Sequence, residues 1–267
     1  MDNRPVLFLD SGVGGIPYCR DFNNKNPYEE VYYLADRLNF PYGPREKEDI
    51  ISILTALIEK LSRTINPKII VLVCNSATVS ALATLRQKFS HIPFVGTVPA
   101  IKPAVNASHS RKIGLLGTER TIEDPYNQNL ANGNYELFPI AAPELVEFVE
   151  HRIDEADEKE KTEIVRKYIE LFCSKGVDTL VLGCTHFLYL LKEFRNEAAP
   201  FIKVFDSLDG ITKRIEFLLN ENGGVLRAGK DAQPVHRFLL TGTEMPEAFW
   251  QKRARTMGFN PCLLYEL

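Results

Sequence analysis

The chain has 267 residues, with 32 Lys and Arg against 35 Asp and Glu, a formal net charge of -3, and 45% hydrophobic and 25% charged residues. These globular values exclude a disordered or collagen-like chain, and without a basic excess no nucleic-acid partner is expected. No apolar run approaches the roughly 18 residues of a membrane-spanning helix, and MDNRPVLFLD has no basic stretch followed by an apolar one, so no membrane partner and a cytoplasmic location are expected.

Short apolar runs alternate with amphipathic ones. In chain order the predicted strands are Val6–Leu9, Val31–Leu34, Ile69–Val73, Phe94–Gly96, Lys112–Leu116, Tyr135–Ile140, Thr179–Leu182, Lys203–Phe205, Phe238–Thr241 and Cys262–Tyr265. Several are Val/Ile/Leu runs without alternation, as strands buried on both faces of a parallel sheet require. Helical spacing falls between them: Ile50, Ile51, Leu54, Leu57, Ile58 and Leu61 on one face, Ala77–Phe89, Glu144–Glu150, Lys159–Cys173 with Ile164, Tyr168, Leu171 and Phe172 on one side, and Ile211, Ile215, Leu218 and Leu219 behind a Ser207 N-cap. The alternation predicts an α/β fold. Boundaries at the proline-punctuated Thr97–Pro103 and at Phe205-Asp206-Ser207 give one domain over 98–206 and another made of 1–97 plus 207–267. The run Asp154–Lys161 is read as a solvated turn opening a helix.

An internal echo stands out. IIVLVCNSAT (69–78) and DTLVLGCTHF (178–187) each read strand, cysteine, small polar residues, helix, with one copy in each expected domain. Cys74 and Cys184 thus fall at C-terminal strand ends, the edge where open α/β sheets bind ligands, and ahead of helix N-termini that favour a thiolate. A free thiol has a pKa of roughly 8.5, and lowering it by one unit takes about 1.4 kcal/mol. Cys19, Cys173 and Cys262 have no such context and are read as structural. Five widely spaced cysteines without a CxxC pair fit free thiols and no zinc pattern. Two facing cysteines leave three readings open: a redox pair, a nucleophile with an incidental second thiol, or acid and base on opposite faces of one carbon.

Asp10-Ser11-Gly12-Val13-Gly14-Gly15 follows the first strand. It fails the dinucleotide pattern at Pro17 and lacks the Lys-Ser/Thr of a P-loop. It reads as a turn whose amides could hold a small anion, with Asp10 and Ser11 at the strand tip. Pro41-Tyr42-Gly43 is a rigid turn that can offer backbone amides and one phenol, though a purely structural turn suffices. Asn75, Ser76, Thr185 and His186 flank the cysteines, with helix capping as their plain role and His186 placed to orient or charge-balance Cys184.

LFLDSGVGG, ADRLNFPYG, VLVCNSAT, GTVPA and LVLGCTHF, in that order over about residues 6–207, resemble the glutamate racemases of the aspartate/glutamate racemase superfamily. The resemblance implies cofactor-independent interconversion of L- and D-glutamate, supplying D-glutamate for peptidoglycan, by two pseudosymmetric α/β domains with the active site in the cleft between them. It implies Cys74 as base toward D-glutamate, assisted by Asp10, and Cys184 toward L-glutamate, assisted by His186 and Glu150. Substrate contacts would come from Asp10, Ser11, Tyr42, Gly43, Asn75, Ser76, Thr185 and His186, with Thr118 and Thr121 of LGTERT as a further pair. No metal is implied, and a homodimer is left open. Ser76 stands where threonine is common and Leu188 where proline is common, and Ala142-Pro143 before Glu150 replaces Cys-Pro. The chain begins close to its first strand, so activation by a cell-wall precursor through an N-terminal extension is not expected.

Without Schiff-base chemistry the weakly acidic α-proton demands a desolvated site with fixed hydrogen bonds. Three rivals remain: a racemase of aspartate or a hydantoin, a cysteine-nucleophile hydrolase that tolerates loss of one cysteine, and a non-enzymatic amino-acid-binding protein.

Overall fold

The computed structural model describes residues 1–267 apart from 126, 128–132, 221–223, 245–246, 260–261 and 266–267, and the Cys262 side chain lies outside it. The chain forms two compact units, Met1–Thr97 with Leu208–Leu267, and Val98–Ser207.

The first unit runs β1 (Val6–Asp10), α1 (Ile16–Lys25), β2 (Val31–Ala35), α2 (Lys47–Thr64), β3 (Ile69–Leu72), α3 (Asn75–Lys88) and β4 (Phe94–Gly96). The second holds α4 (Ile101–Ala107), β5 (Lys112–Gly117), α5 (Glu119–Glu123), β6 (Glu136–Ala141), α6 (Pro143–His151), α7 (Glu158–Ser174), β7 (Thr179–Gly183), α8 (Leu191–Ala198) and β8 (Lys203–Phe205). The chain then adds α9 (Leu208–Leu218), β9 (Arg237–Thr241), α10 (Ala248–Thr256) and β10 (Cys262–Tyr265) to the first.

Both sheets are parallel, ordered β10-β9-β2-β1-β3-β4 and β6-β5-β7-β8. The four strands β2-β1-β3-β4 and the four strands β6-β5-β7-β8 share one arrangement: a first strand in the middle, its successor on one side, the next two on the other. Each sheet therefore reverses direction beside its first strand, opening a crevice outside the carboxyl ends of β1 and β3, and of β5 and β7. The registers match there, with Leu9 opposite Leu72 and Leu116 opposite Leu182.

The sequence explains these elements. β1, β2, β3 and β7 are buried at every position, as their unbroken apolar runs predict. α2 turns Ile50, Leu54, Leu57, Ile58 and Leu61 onto the sheet, where each contributes about 1.5–3 kcal/mol by leaving water. Asp157 caps α7 by accepting from the Glu160 amide at 2.8 Å, so the charged run does open a helix. The α7 face differs from expectation: Val165, Tyr168, Ile169 and Phe172 are buried, whereas Leu171 is half exposed. The buried set runs i, i+3, i+4, i+7 from Val165, a spacing in which Leu171 has no place, and β-branched Val165 and Ile169 complete the stripe. Pro139 sits inside β6, which is tolerated because β6 is an edge strand.

Candidate active site

In the first unit the site is built on β1 and β3. Asp10 ends β1 fully buried, its side chain accepting from the Ser11 amide at 2.7 Å and the Gly15 amide at 2.5 Å. The expected anion-holding turn therefore holds an anion of its own, the Asp10 carboxylate. The loop is packed tightly: a Cβ on Gly15 would lie 2.3 Å from Val73 Cγ2, and the Tyr33 hydroxyl donates to the Gly12 carbonyl at 2.7 Å. Only a residue without a side chain lets the loop close over β3.

Cys74 follows β3 and occupies the N-cap position of α3 in extended conformation, buried among Leu9, Leu72, Ala77 and Tyr42 of one apolar cluster. Fourteen residues of α3 point their N-terminal dipole at it. Ser76 lies inside the helix, so it is not the cap, because the chain enters helical geometry directly after Cys74. Asn75 is buried, and its Nδ2 meets no hydrogen-bond partner among the described residues. A buried amide left open costs about 1–3 kcal/mol, which an incoming acceptor would recover.

Pro41-Tyr42-Gly43 closes the loop after β2. The Tyr42 side chain is buried and its hydroxyl donates to Asp36 Oδ2 at 2.5 Å. Burial first, then the charge and hydrogen bond of Asp36, with smaller contributions from Cys74 and Asp10, raise the phenol well above its ordinary pKa. The phenol is thus engaged inside the protein.

In the second unit Cys184 follows β7 in the same extended conformation. The helix expected after it is instead a 3-10 helix over Thr185–Leu190, with α8 beginning only at Leu191. Leu188 stands within this 3-10 turn, and the aligned dipole at Cys184 is correspondingly short. A side-chain chain takes its place: His186 Nδ1 lies 3.6 Å from Cys184 Sγ, and His186 Nε2 lies 2.6 Å from Glu150 Oε1 on α6. Both His186 and Glu150 are buried. Burial alone would lower the imidazole's pKa, but the hydrogen bonds and charges of Cys184 and Glu150 outweigh it and hold His186 well above the ordinary histidine range. Glu150 is thus brought to the thiol from 34 residues upstream of Cys184 in the numbering, a partnership no local spacing reveals.

Thr118 caps α5, with its hydroxyl accepting from the Thr121 amide at 3.3 Å and donating to Thr121 Oγ1 at 3.0 Å. Thr121 is fully buried at the carboxyl end of β5, and its methyl would lie 3.6 Å from a Cβ on Gly183, the residue before Cys184. Gly183 admits no side chain, since that Cβ would also stand 2.9 Å from Leu115 Cδ1 and 3.0 Å from the Leu116 carbonyl. In sum, Asp10, Ser11, Cys74, Asn75 and Ser76 gather at one crevice, and Cys184, Thr185, His186, Glu150 and Thr121 at the other. Missed by sequence reasoning was Asp36, whose side chain reaches Tyr42; its place in ADRLNFPYG was the available signal. Cys19 is wholly buried, and burial pushes its thiol up, as a structural cysteine should behave.

The sequence profile described as Asp/Glu/Hydantoin racemase matches residues 23–213. A glutamate racemase of Treponema pallidum is 40% identical over 210 residues, 78% of each chain. Among solved structures, a Bacillus anthracis glutamate racemase isoform superposes with a TM-score of 0.84 at 27% identity, covering 100% of this chain and 98% of that one. Escherichia coli glutamate racemase, solved with L-glutamate and the activator UDP-MurNAc-ala, gives 0.83 at 26% identity over 99% and 98%.

Proposed function

This chain belongs to the Asp/Glu/Hydantoin racemase family, and on that premise we propose that it interconverts L- and D-glutamate without a cofactor, by proton transfer at two cysteines. The observation that carries the reading is the repeated placement of a thiol: two sheets of one strand order each seat a buried cysteine after the strand flanking their reversal point. A redox pair or a single nucleophile does not call for this duplication; removal and delivery of a proton on opposite faces of one carbon does.

Cys74, as thiolate, removes the α-proton of D-glutamate, and Cys184, as thiol, delivers one to the other face. The turnover leaves Cys74 protonated and Cys184 ionised, ready for L-glutamate, and the reverse reaction or solvent exchange resets them. His186, held protonated by Glu150, neutralises the Cys184 thiolate as it forms. The Asp10 carboxylate, fixed by the Ser11 and Gly15 amides, assists Cys74 and meets the substrate ammonium. Asn75 Nδ2 donates to a substrate carboxylate, with Ser11, Ser76, Thr185, His186, Thr118, Thr121 and the Tyr42-Gly43 turn completing the cradle. Fixed dipoles in a dry site stabilise the developing carbanion, commonly the largest part of such catalysis. The names of the relatives select glutamate over aspartate, and the product D-glutamate is read as a peptidoglycan precursor made in the cytoplasm.

One observation favours a second reading. Cys184, His186 and Glu150 form a thiol–imidazole–carboxylate chain of the kind that activates a nucleophile in hydrolases. Loss of the two cysteines separates the readings. Wild type, Cys74→Ser and Cys184→Ser are incubated with L- and D-glutamate in D2O, and optical rotation and the α-proton signal are followed. Two-base racemisation predicts inversion with solvent deuterium in the product, abolished by either substitution. A hydrolase would keep its activity in Cys74→Ser, and a wild type that neither inverts nor exchanges glutamate removes the substrate assignment.

A further inference from the structure

Asp36 is a fully buried carboxyl one residue beyond β2, and among the described residues the hydrogen-bond partners of its side chain are neutral donors. Its Oδ2 accepts from the Tyr42 hydroxyl at 2.5 Å and from Asn39 Nδ2 at 3.0 Å. Its Oδ1 accepts from the Thr241 hydroxyl at 2.6 Å and from the same Asn39 amide at 3.1 Å. The Thr241 hydroxyl in turn accepts from the Leu38 amide at 3.1 Å. The donors come from the loop after β2 and from the end of β9, which neighbours β2 in the sheet but lies some 200 residues on in sequence.

Burying such a group is expensive, and an apolar residue of similar size would be cheaper, so its value lies in specifying one arrangement. The arrangement it specifies is that of Tyr42. The Asp36 main-chain amide donates to the Asp10 carbonyl at 2.8 Å, which ties the network to the strand end that carries Asp10. The Tyr42 ring packs in the same apolar cluster as Cys74. The phenol proton is committed to Asp36, so the hydroxyl does not compete with substrate or thiol for a hydrogen bond.

We propose that Asp36 is a positioning residue for the Cys74 half-site: by taking the Tyr42 hydroxyl proton, and braced by Thr241, it fixes the Pro41-Tyr42-Gly43 turn against which the substrate binds. This rests on the glutamate racemase reading given above. Asp36 touches neither substrate nor thiol and acts through Tyr42.

The test is a double-mutant cycle on the full chain with Asp36→Asn, Tyr42→Phe and the pair, reading kcat and KM for both enantiomers of glutamate. Because a turn that binds ground and transition states alike contributes uniform binding, each single variant should raise KM about tenfold with kcat within about twofold. The double variant should be no worse than the worse single one, since Tyr42→Phe removes, and Asp36→Asn weakens, the same hydrogen bond. Thr241→Val should raise KM in the same sense, and it substitutes for Asp36→Asn in the cycle if that variant fails to fold. KM effects that multiply in the double variant, or a folded Asp36→Asn with unchanged KM, overturn the proposal. An active wild type with unaffected variants removes this inference alone, whereas an inactive wild type removes the racemase reading and this inference with it.

Discussion

Glu150→Gln gives the sharpest electrostatic test of the Cys184 half-site. Glutamine keeps an acceptor for His186 Nε2 at the 2.6 Å position but removes the negative charge. Burial, which opposes the imidazolium, is then countered by Cys184 alone, so the His186 pKa falls and its proton is held less firmly. What Cys184 loses is the attraction of an imidazolium 3.6 Å from its sulfur, about 1 kcal/mol at a water-like dielectric and about 5 kcal/mol at an effective dielectric of about 20. At 1.36 kcal/mol per decade, full loss of that attraction should lower kcat/KM by about fivefold at the first figure and about five-thousandfold at the second. Enantiomers have equal free energy in achiral solvent, so the fall must be equal in both directions. The asymmetry should appear in the isotope effect, which should grow most for L-glutamate deuterated at Cα, whose proton Cys184 is to remove. The alkaline limb of the wild-type pH profile, set by loss of the imidazolium, should also shift to lower pH. Polarimetric kinetics over pH 6–10, with circular dichroism confirming the fold, decide the matter. A folded Glu150→Gln within twofold of wild type, with the same alkaline limb, would refute the reasoning.

Linked to this, stability should depend on pH with a definite sign. His186 has a raised pKa when folded, so its contribution is complete below the unfolded value of about 6.5 and is lost as pH rises through the folded value. The difference in denaturant midpoint between wild type and Glu150→Gln should therefore narrow on going alkaline, and a widening gap would contradict it. Asn75→Ala, removing the proposed donor to a substrate carboxylate, worth about 1.5–3 kcal/mol, should raise KM for glutamate roughly 10- to 100-fold, and Asn75→Asp should raise it further by repulsion. Gly15→Ala places a methyl 2.3 Å from Val73 Cγ2 and should cost about 1–3 kcal/mol, read as a lowered thermal midpoint; an unchanged midpoint would show that the loop yields freely.

The strands were the most legible part of the sequence, because β1, β3 and β7 are unbroken apolar runs bounded by turn residues and no helix face competes for them. Helices with weak stripes were not separately visible: α4 begins amid prolines and α5 spans only Glu119–Glu123. The cysteines declared themselves by repetition, since the same strand-to-thiol context occurs twice. Their partners divide by distance along the chain. His186 is two residues from its thiol and could be named from position, whereas the link from Glu150 to His186 and that from Thr241 to Asp36 exist only once strands and helices pack. The helix after Cys184 was misread because Thr185–Leu190 is apolar enough for either helical geometry, and a 3-10 turn has no distinct sequence period.

The position of β9 in the sheet sets an order of events during synthesis. β2 pairs with β1 on one side and with β9 on the other, and β9 begins only at Arg237. At a ribosomal rate of about 5–20 residues per second, roughly 10–40 s separate the emergence of β2 from that of its second neighbour. Until then the nascent sheet carries a hydrophobic strand with an unpaired edge, a template for pairing with another chain. A cell making this protein must keep that edge covered or outpace its encounters, and a chain that stops before Arg237 leaves the edge without its neighbour for good.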